Sequence, residues 1–358
     1  MQWVVIVAGG RGERFWPKSL RDKPKQFHSI VTERTMLQET FHRIYPDYGK
    51  ERIRIVADEA LRGLVREQLP EIDEDNFIAE PSRRNTAPAI GLAAAVLMKQ
   101  DPDAILSVVT ADHVVKPREE YIRALKTASR LAEEGYLVTF GILPDRPATE
   151  YGYIEIHKKM KGNWDLDVYG VRMFREKPSV EQALTFIERG GFLWNSGLFC
   201  FKAKTVLDAM KEHMPAMHAG FMRIYEGIGT PEAGEILRQE YEKFDRISID
   251  YGVMEKSKNI VCVRPKFSWD DVGSWSALGR HRPKDIDGNV VEGDAVILNS
   301  QNNIVLGDTS SVIALVGVRD LVVVKEGERI LICPKSQDQH VREALRRMAA
   351  DEKLHRFL

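Results

Sequence analysis

An α/β fold, with a mostly parallel sheet flanked by helices, is what this sequence predicts, and three observations predict it. Short runs rich in Val and Ile alternate with longer stretches of helical spacing through the first half. The runs are bounded by Gly, Asp or Pro, as strands are. The first run ends in a cluster of glycines, and in such sheets ligands bind beyond the carboxyl ends of the strands.

The elements follow in order. "WVVIVA", "RIRIVA", "AILSVVTADH" and "YLVTFGI" read as strands. Between them "TMLQETFHRIY", "EALRGLVREQL", "TAPAIGLAAAVLMKQ" and "REEYIRALKTASRLAEEG" carry helical spacing. From Pro144 to Asp271 the pattern is mixed, with strands in "YGYIEIH", "YGVRMFREKP" and "SGLFCF" and helices in "SVEQALTFIERG" and "AKTVLDAMKEHM". "RHRPKDIDG" reads as a linker, which places one part over residues 1–280 and a second over 281–358. The second part holds five short β-type stretches spaced by turns, a small β-rich module. It ends in an amphipathic stretch with Val341, Leu345 and Met348 on one helical face.

Composition excludes several classes of function. A net charge of -1 over 358 residues gives no general field for nucleic acid or a membrane surface, so any anion binding is local. The longest apolar stretch, "AIGLAAAVLM", is too short to span a bilayer, and Met1-Gln2 is not the basic start of a secretory signal. Cys200, Cys262 and Cys333 lie far apart in apolar stretches and read as reduced core residues. A cytoplasmic protein is the expectation.

Gly9, Gly10 and Gly12, just after the first strand, can bring backbone close to a ligand, and consecutive N–H groups there form an anion nest. Arg11, Arg14, Lys18, Lys23 and Lys25 add local positive charge. A P-loop is excluded, because no Gly-Lys-Ser/Thr occurs, and Phe15-Trp16-Pro17 stands where the dinucleotide fingerprint needs its third glycine. Taken by itself the stretch is a phosphate loop or a basic turn.

"AGGRGERFWPKS" followed by "KPKQF" resembles the signature of the sugar nucleotidyltransferases, in the branch typified by mannose-1-phosphate guanylyltransferase. "EPSRRNTAPAIGLAAA", "VVTADH", "YGYIE", "REKP", "LWNSGLF", "ISIDYGVMEKS" and "SWDDVGSW" follow in family order, across residues 2–280. The resemblance implies a Rossmann-like nucleotide-diphospho-sugar transferase fold with a small C-terminal β-helix-like module and a terminal helix. Three departures stand out: Glu13 where the family loop has Thr, Phe15 where it has Leu, and Thr110 where Pro is common. Glu13 sets a negative charge beside a phosphate loop.

The implied reaction is transfer of GMP from GTP to α-D-mannose 1-phosphate, giving GDP-mannose and pyrophosphate, with Mg2+ as cofactor. Ala8, Gly9, Gly10, Gly12, Arg14 and Asp112 would hold the nucleotide, and Glu80, Asn85, Thr86 and Ala87 its base. Arg14, Lys25, Asp112 and Asp271 are the implied catalytic set. Asp112 and Asp271 are the implied metal ligands, with Asp271 preferred to Asp270 only by the resemblance. Gly152, Glu176, Lys177, Asn195 and Asp250 would serve the sugar.

Plainer readings stand beside these. Asn85 or Thr86 is a helix cap as readily as a base contact. Glu176-Lys177 reads equally as a surface ion pair. His113 reads as structural, and Tyr151, Tyr153 and Trp269 as packing. The alternatives in function are the same chemistry on another sugar 1-phosphate or nucleotide, or a non-catalytic regulator that binds nucleotide sugar. The resemblance also implies a homodimer joined through the tail. Some relatives carry a fused isomerase domain, and transferase activity alone is expected here.

Overall fold

The computed structural model describes all 358 residues. In chain order the first part runs β1 (Gln2–Val7), α1 (Met36–Tyr48), β2 (Ile53–Asp58), α2 (Arg62–Gln68), β3 (Phe77–Glu80), α3 (Thr86–Gln100), β4 (Ile105–Thr110) and β5 (Val114–Lys116). It continues through α4 (Arg118–Glu133), β6 (Leu137–Ile142), β7 (Gly152–Lys159), β8 (Asp167–Arg175), α5 (Val180–Arg189) and β9 (Phe192–Lys202). Helices α6 (Ala203–His213), α7 (Pro215–Gly227) and α8 (Ala233–Glu242) precede β10 (Ile260–Arg264) and β11 (Ser268–Asp270).

The chain divides into two compact units, Met1–Gly9 with Thr40–Trp269, and Gly10–Glu39 with Asp270–Leu358. The larger unit is built on a nine-stranded sheet of order β3-β2-β1-β4-β9-β6-β10-β8-β7. β1, β2, β3 and β4 are mutually parallel, and β9 runs against both β4 and β6. Following the pairings across the sheet, only β8 and β9 are reversed, so the sheet is mixed and mostly parallel, as expected.

The central strands are apolar at successive positions because both faces are covered. Leu106 and Val108 of β4 join one core cluster with α3, α6 and α7, while α4 lies against β4, β6 and β9. α3 is almost wholly buried, as its uniform small apolar run requires. Cys200 and Cys262 are buried and Cys333 is half-buried, and all three are free thiols.

The smaller unit contains the glycine-loop segment and a β-rich module. That module comprises β12 (Val290–Glu292), β13 (Asp294–Leu298), β14 (Ile304–Leu306), β15 (Val312–Val316), β16 (Leu321–Glu326) and β17 (Arg329–Pro334). β12, β14 and β16 stack in parallel, as do β13 and β15, and β17 closes the first stack antiparallel to β16. Two fully buried asparagines tie successive coils: the side-chain carbonyl of Asn289 accepts from the Asn303 N–H at 2.9 Å, and that of Asn303 from the Leu321 N–H at 2.9 Å. The terminal helix, α9 (Val341–Ala349), is shorter than its amphipathic stretch suggests. Asp351 accepts from the Lys353 N–H at 2.9 Å and turns the chain there. No helix is long and apolar enough to cross a membrane.

Candidate active site

In the smaller unit, Gly12 has φ 61°, the left-handed region that favours glycine. A Cβ on Gly12 would also overlap the Cβ of Lys25, so the loop and the "KPKQF" segment meet where only glycine fits. Gln26, buried, donates to the Gly10 carbonyl at 3.1 Å and holds the loop open beside it. Phe15 is buried and its ring lies 4.8 Å from that of Trp275, while the Trp275 indole N–H donates to the Trp16 carbonyl at 3.0 Å.

Lys25 is 3% exposed, and its ammonium donates to the Asp271 backbone carbonyl at 2.8 Å. Arg14 donates to Gln339 at 2.7 Å. Arg14 and Asp271 both reach over the bare Cα of Gly273: a Cβ there would sit 2.7 Å from Asp271 Oδ2 and 3.2 Å from Arg14 Nη2. Three of the four implied catalytic residues therefore lie together in this unit.

Asp270 behaves differently from its neighbour. Its carboxylate accepts from Arg280 at 2.6 and 2.9 Å, from the Val272 N–H at 2.8 Å, and lies 2.7 Å from His281 Nε2. Burial acts to raise its pKa, but the His281 and Arg280 hydrogen bonds outweigh it and hold the carboxyl well below the usual range. Asp270 is thus committed to the fold, which gives a physical reason to look to Asp271 for chemistry.

Glu13 also has its account. Its carboxylate points to Arg11 at 3.6 Å and to Arg342 of α9 at 3.8 Å. Its charge is balanced there.

In the larger unit, Ala8 continues the β1 ladder by donating to the Val56 carbonyl at 2.8 Å. A Cβ on Gly9 would lie 3.3 Å from Glu80 Oε2, so the loop's first glycine abuts a carboxylate at the end of β3. Glu80 is 2% exposed and accepts from the Tyr241 hydroxyl at 2.6 Å. Burial pushes its pKa up to about 7, with the Tyr241 hydrogen bond opposing. Asn85 caps α3, accepting from the Thr86 N–H at 2.8 Å. The Thr86 hydroxyl accepts from the Ile249 N–H at 2.9 Å, and the Ala87 N–H donates to the Ile247 carbonyl at 3.1 Å. The polar groups of this helix start are engaged in fixing the 247–249 segment.

Asp112 follows β4, two residues beyond Thr110, with its side chain 29% exposed. His113 beside it accepts from the Trp269 indole N–H at 3.0 Å through Nδ1, which leaves Nε2 toward Asp112 at 3.9 Å. His113 is held as a structural residue. No group of three or more His, Cys, Asp or Glu side chains forms a preformed metal cage. Hard oxygen donors offered singly, as by Asp112 and Asp271, suit magnesium, which takes one or two carboxylates and fills its other positions with phosphate and water.

The five implied sugar residues form one cluster in the larger unit. Gly152 pairs with Asn195 across β7 and β9, and a Cβ on Gly152 would overlap the Glu176 carboxylate. Lys177 Nζ lies 3.0 Å from Glu176 Oε1. The Asn195 amide donates to Asp250 at 2.9 Å, while its carbonyl accepts from Thr139 at 3.1 Å. Burial, and then the charge of Glu176, push the Asp250 pKa up to about 7. Glu176 Oε2 is buried with no hydrogen-bond partner, an acceptor aimed at the bare Gly152 backbone. Tyr151 packs between Trp194 and Trp269 with ring centroids 5.0 Å apart on each side. Sequence reasoning missed Gln26, Tyr241, Glu255 (which accepts from the Glu176 N–H at 2.9 Å) and Gln339. Gln26 lay inside "KPKQF" and Glu255 inside "ISIDYGVMEKS", both stretches that drew attention, whereas Tyr241 lay in none.

A glycine-rich loop follows the first strand of a mixed, mostly parallel sheet, and the likeness to a solved relative identifies this as the nucleotide-sugar transferase fold. The family model "Nucleotidyl transferase" matches residues 3–287, and "MannoseP isomerase/GMP-like beta-helix domain" matches residues 293–348. A mannose-1-phosphate guanylyltransferase of Escherichia coli K12 is 36% identical over 98% of this chain and 74% of its own length. One from Salmonella typhimurium is 37% identical over 98% of this chain and 73% of its own. A crystal structure of a "mannose-1-phosphate geranyltransferase" from Thermus thermophilus is 37% identical with a TM-score of 0.86, covering 97% of this chain and 99% of that one. The chain belongs to the nucleotidyl transferase family, and within it to the mannose-1-phosphate guanylyltransferase branch. It is an enzyme.

Proposed function

We propose that the chain transfers GMP from GTP to α-D-mannose 1-phosphate, releasing pyrophosphate and forming GDP-mannose. The observation that carries this reading is the likeness, along 98% of the chain, to relatives named for that guanylyl transfer. A phosphate oxygen of the sugar phosphate attacks the α-phosphorus, a P–O bond forms, and the bond to the β-phosphate oxygen breaks with its electrons leaving on pyrophosphate. Positioning and charge neutralisation supply the rate.

The N–H groups of Gly9, Gly10 and Gly12 cradle the triphosphate. Arg14 takes charge on the departing pyrophosphate, and Lys25, fixed by its bond to the Asp271 carbonyl, holds a phosphate oxygen at the reacting centre. Asp112 and Asp271 are assigned to Mg2+, which when bound neutralises charge on the phosphate oxygens. Glu80 is an acceptor fit for guanine, whose edge carries an amine donor that adenine lacks in that place. Asn85, Thr86 and Ala87 shape that pocket through the start of α3. On the sugar side, Glu176 Oε2 and Asn195 accept and donate to hydroxyls, Asp250 orients Asn195, and Lys177 meets the sugar phosphate. Residues 1–280 are read as the catalytic part and 281–358 as a β-rich tail.

The protein is assigned to the cytoplasm and to a homodimer. The second assignment is supported by the apolar side chains that β13 and β15 leave exposed, Val296, Leu298, Val312 and Val316, at 52–66%. Light scattering on Val312→Lys/Val316→Lys tests it, and an unchanged molar mass in wild type and variant counts against this face.

The reaction is tested by pyrophosphate release from four nucleoside triphosphates against mannose, glucose and fucose 1-phosphates, with and without magnesium. Metal-dependent release confined to GTP with mannose 1-phosphate is the expected result. Release with another pair keeps the mechanism and moves the substrate; no release from folded protein that still binds nucleotide overturns the assignment.

A further inference from the structure

A cavity of about 350 Å³ lies within the smaller unit, between the loop segment and α9. None of the residues assigned to substrate or metal lines it. Its charged side chains are Arg11, Arg21, Arg342 and Arg346 against Glu13, and the main-chain carboxylate of Leu358 also belongs to the lining. Its apolar lining includes Trp16, Leu345 and Ala349. That volume falls in the range of small-molecule pockets, about 300–1,000 Å³.

We propose that this cavity is a second, non-catalytic nucleotide site, in which the guanidinium groups take a di- or triphosphate and the Trp16 indole takes the base. The charge argument rests on the weak existing partners of Arg11, Arg342 and Arg346. Glu13 reaches Arg11 and Arg342 only at 3.6 and 3.8 Å, and Arg346 meets Glu343 at 3.5 Å with its side chain 80% exposed. Burial, and then the positive field of Arg14, lower the Arg342 pKa, with Glu13 opposing. Guanidinium groups match phosphate oxygens bidentately. The planar partner is fixed as well, because the Trp16 indole N–H donates to the Phe357 carbonyl at 3.0 Å and holds the ring in place. A phosphate on one side and an aromatic wall on the other select a nucleotide over a bare anion or a bare hydrophobe.

Arg11, Glu13 and Trp16 share one short segment with Gly12 and Arg14, and Glu13 opens the 3₁₀ turn Glu13–Phe15 that carries Arg14.

The test is calorimetric titration of the full chain with GDP and, separately, with inorganic pyrophosphate. Wild type should show a GDP-binding component that Arg342→Glu/Arg346→Glu weakens at least tenfold. Ala349→Trp fills the cavity from an exposed helix position, keeps every charge, and should remove the same component. Identical GDP isotherms for wild type and both variants overturn the site, whatever the substrates of the reaction prove to be. Pyrophosphate competing for this component as well as GDP does overturns the nucleotide assignment.

Discussion

The two clusters of candidate residues solve opposite electrostatic problems. In the smaller unit Arg14 and Lys25 gather positive charge around Asp271, with Lys25 almost wholly buried and fixed by a backbone carbonyl. In the larger unit Glu176 and Asp250 gather negative charge around Asn195, and burial raises the Asp250 pKa to about 7. A phosphate carries full charge and is met by fixed cations. A sugar ring carries only hydroxyls and is met by directional polar groups, among which Asp250 has its own charge partly suppressed by a proton. The comparison predicts that substitutions in the first cluster damage the chemical step, and those in the second damage sugar affinity.

The largest effect is expected at Lys25. Lys25→Met keeps the stem and removes the ammonium, and should lower kcat/KM about 100- to 1,000-fold, the usual loss of one electrostatic group at a reacting centre. Thermal unfolding should show a retained fold, because an apolar side chain of similar length fits a buried position. Pyrophosphate release within threefold of wild type would remove Lys25 from the phosphate side of the comparison.

Glu176→Gln sharpens the other side. The KM for the sugar phosphate should rise roughly tenfold, the scale of one hydrogen bond to a charged group, with the KM for the triphosphate unchanged. Gly152→Ala, which overlaps the same carboxylate, should behave alike. A rise in triphosphate KM instead would erase the division of labour between the clusters.

Much of this was legible in the sequence, and the reasons differ by residue. β1 and β4 show as strands because continuous burial leaves a continuous apolar run. The reversal of β8 and β9 leaves no such trace, since side-chain burial is indifferent to strand direction. The glycines of the loop were legible only through the longer string "AGGRGERFWPKS" with "KPKQF", because three glycines after a strand suit a basic turn as well as a phosphate loop. Asp270 and Asp271 were not separable: what distinguishes them is Arg280 and His281, ten and eleven residues on, folded back onto one carboxylate. Nor could "NTAPAI" reveal that the Thr86 hydroxyl is engaged by Ile249, a partner 163 positions away.

Acidity separates the units a second way. Asp270 has a folded pKa below its unfolded value, so its stabilisation is complete above about pH 4 and is lost as the pH falls further. Asp250 and Glu80 have folded values near 7, above their unfolded ones, so the folded state loses stability as the pH rises from about 4 to 7. Asp270→Asn should cost about 2 kcal/mol at pH 7, less than a fully buried pair because Arg280 is half exposed. Asp250→Asn should instead gain about 1 kcal/mol at pH 8 and flatten the slope between pH 4 and 7. Urea unfolding at pH 3.5, 5 and 8 reads both, and parallel pH profiles for the two variants would break the contrast.

The smallest effect is expected at Glu13, the residue that looked most out of place. A carboxylate in a phosphate loop should repel substrate, yet this one lies 3.6 and 3.8 Å from two guanidinium groups and is 39% exposed. An exposed pair at such distances contributes well under about 1 kcal/mol. Its repulsion of a triphosphate is also reduced, because Arg11 and Arg342 present the opposite charge at the same place. Glu13→Thr should therefore change stability by less than about 0.5 kcal/mol and kcat/KM by less than about twofold at 0.15 M salt. Lowering the salt to 0.01 M lengthens the screening distance to about 30 Å and should widen the difference between variant and wild type. A tenfold gain in kcat/KM at 0.15 M salt would mean that the carboxylate does face the phosphates, and that Arg11 and Arg342 do not neutralise it.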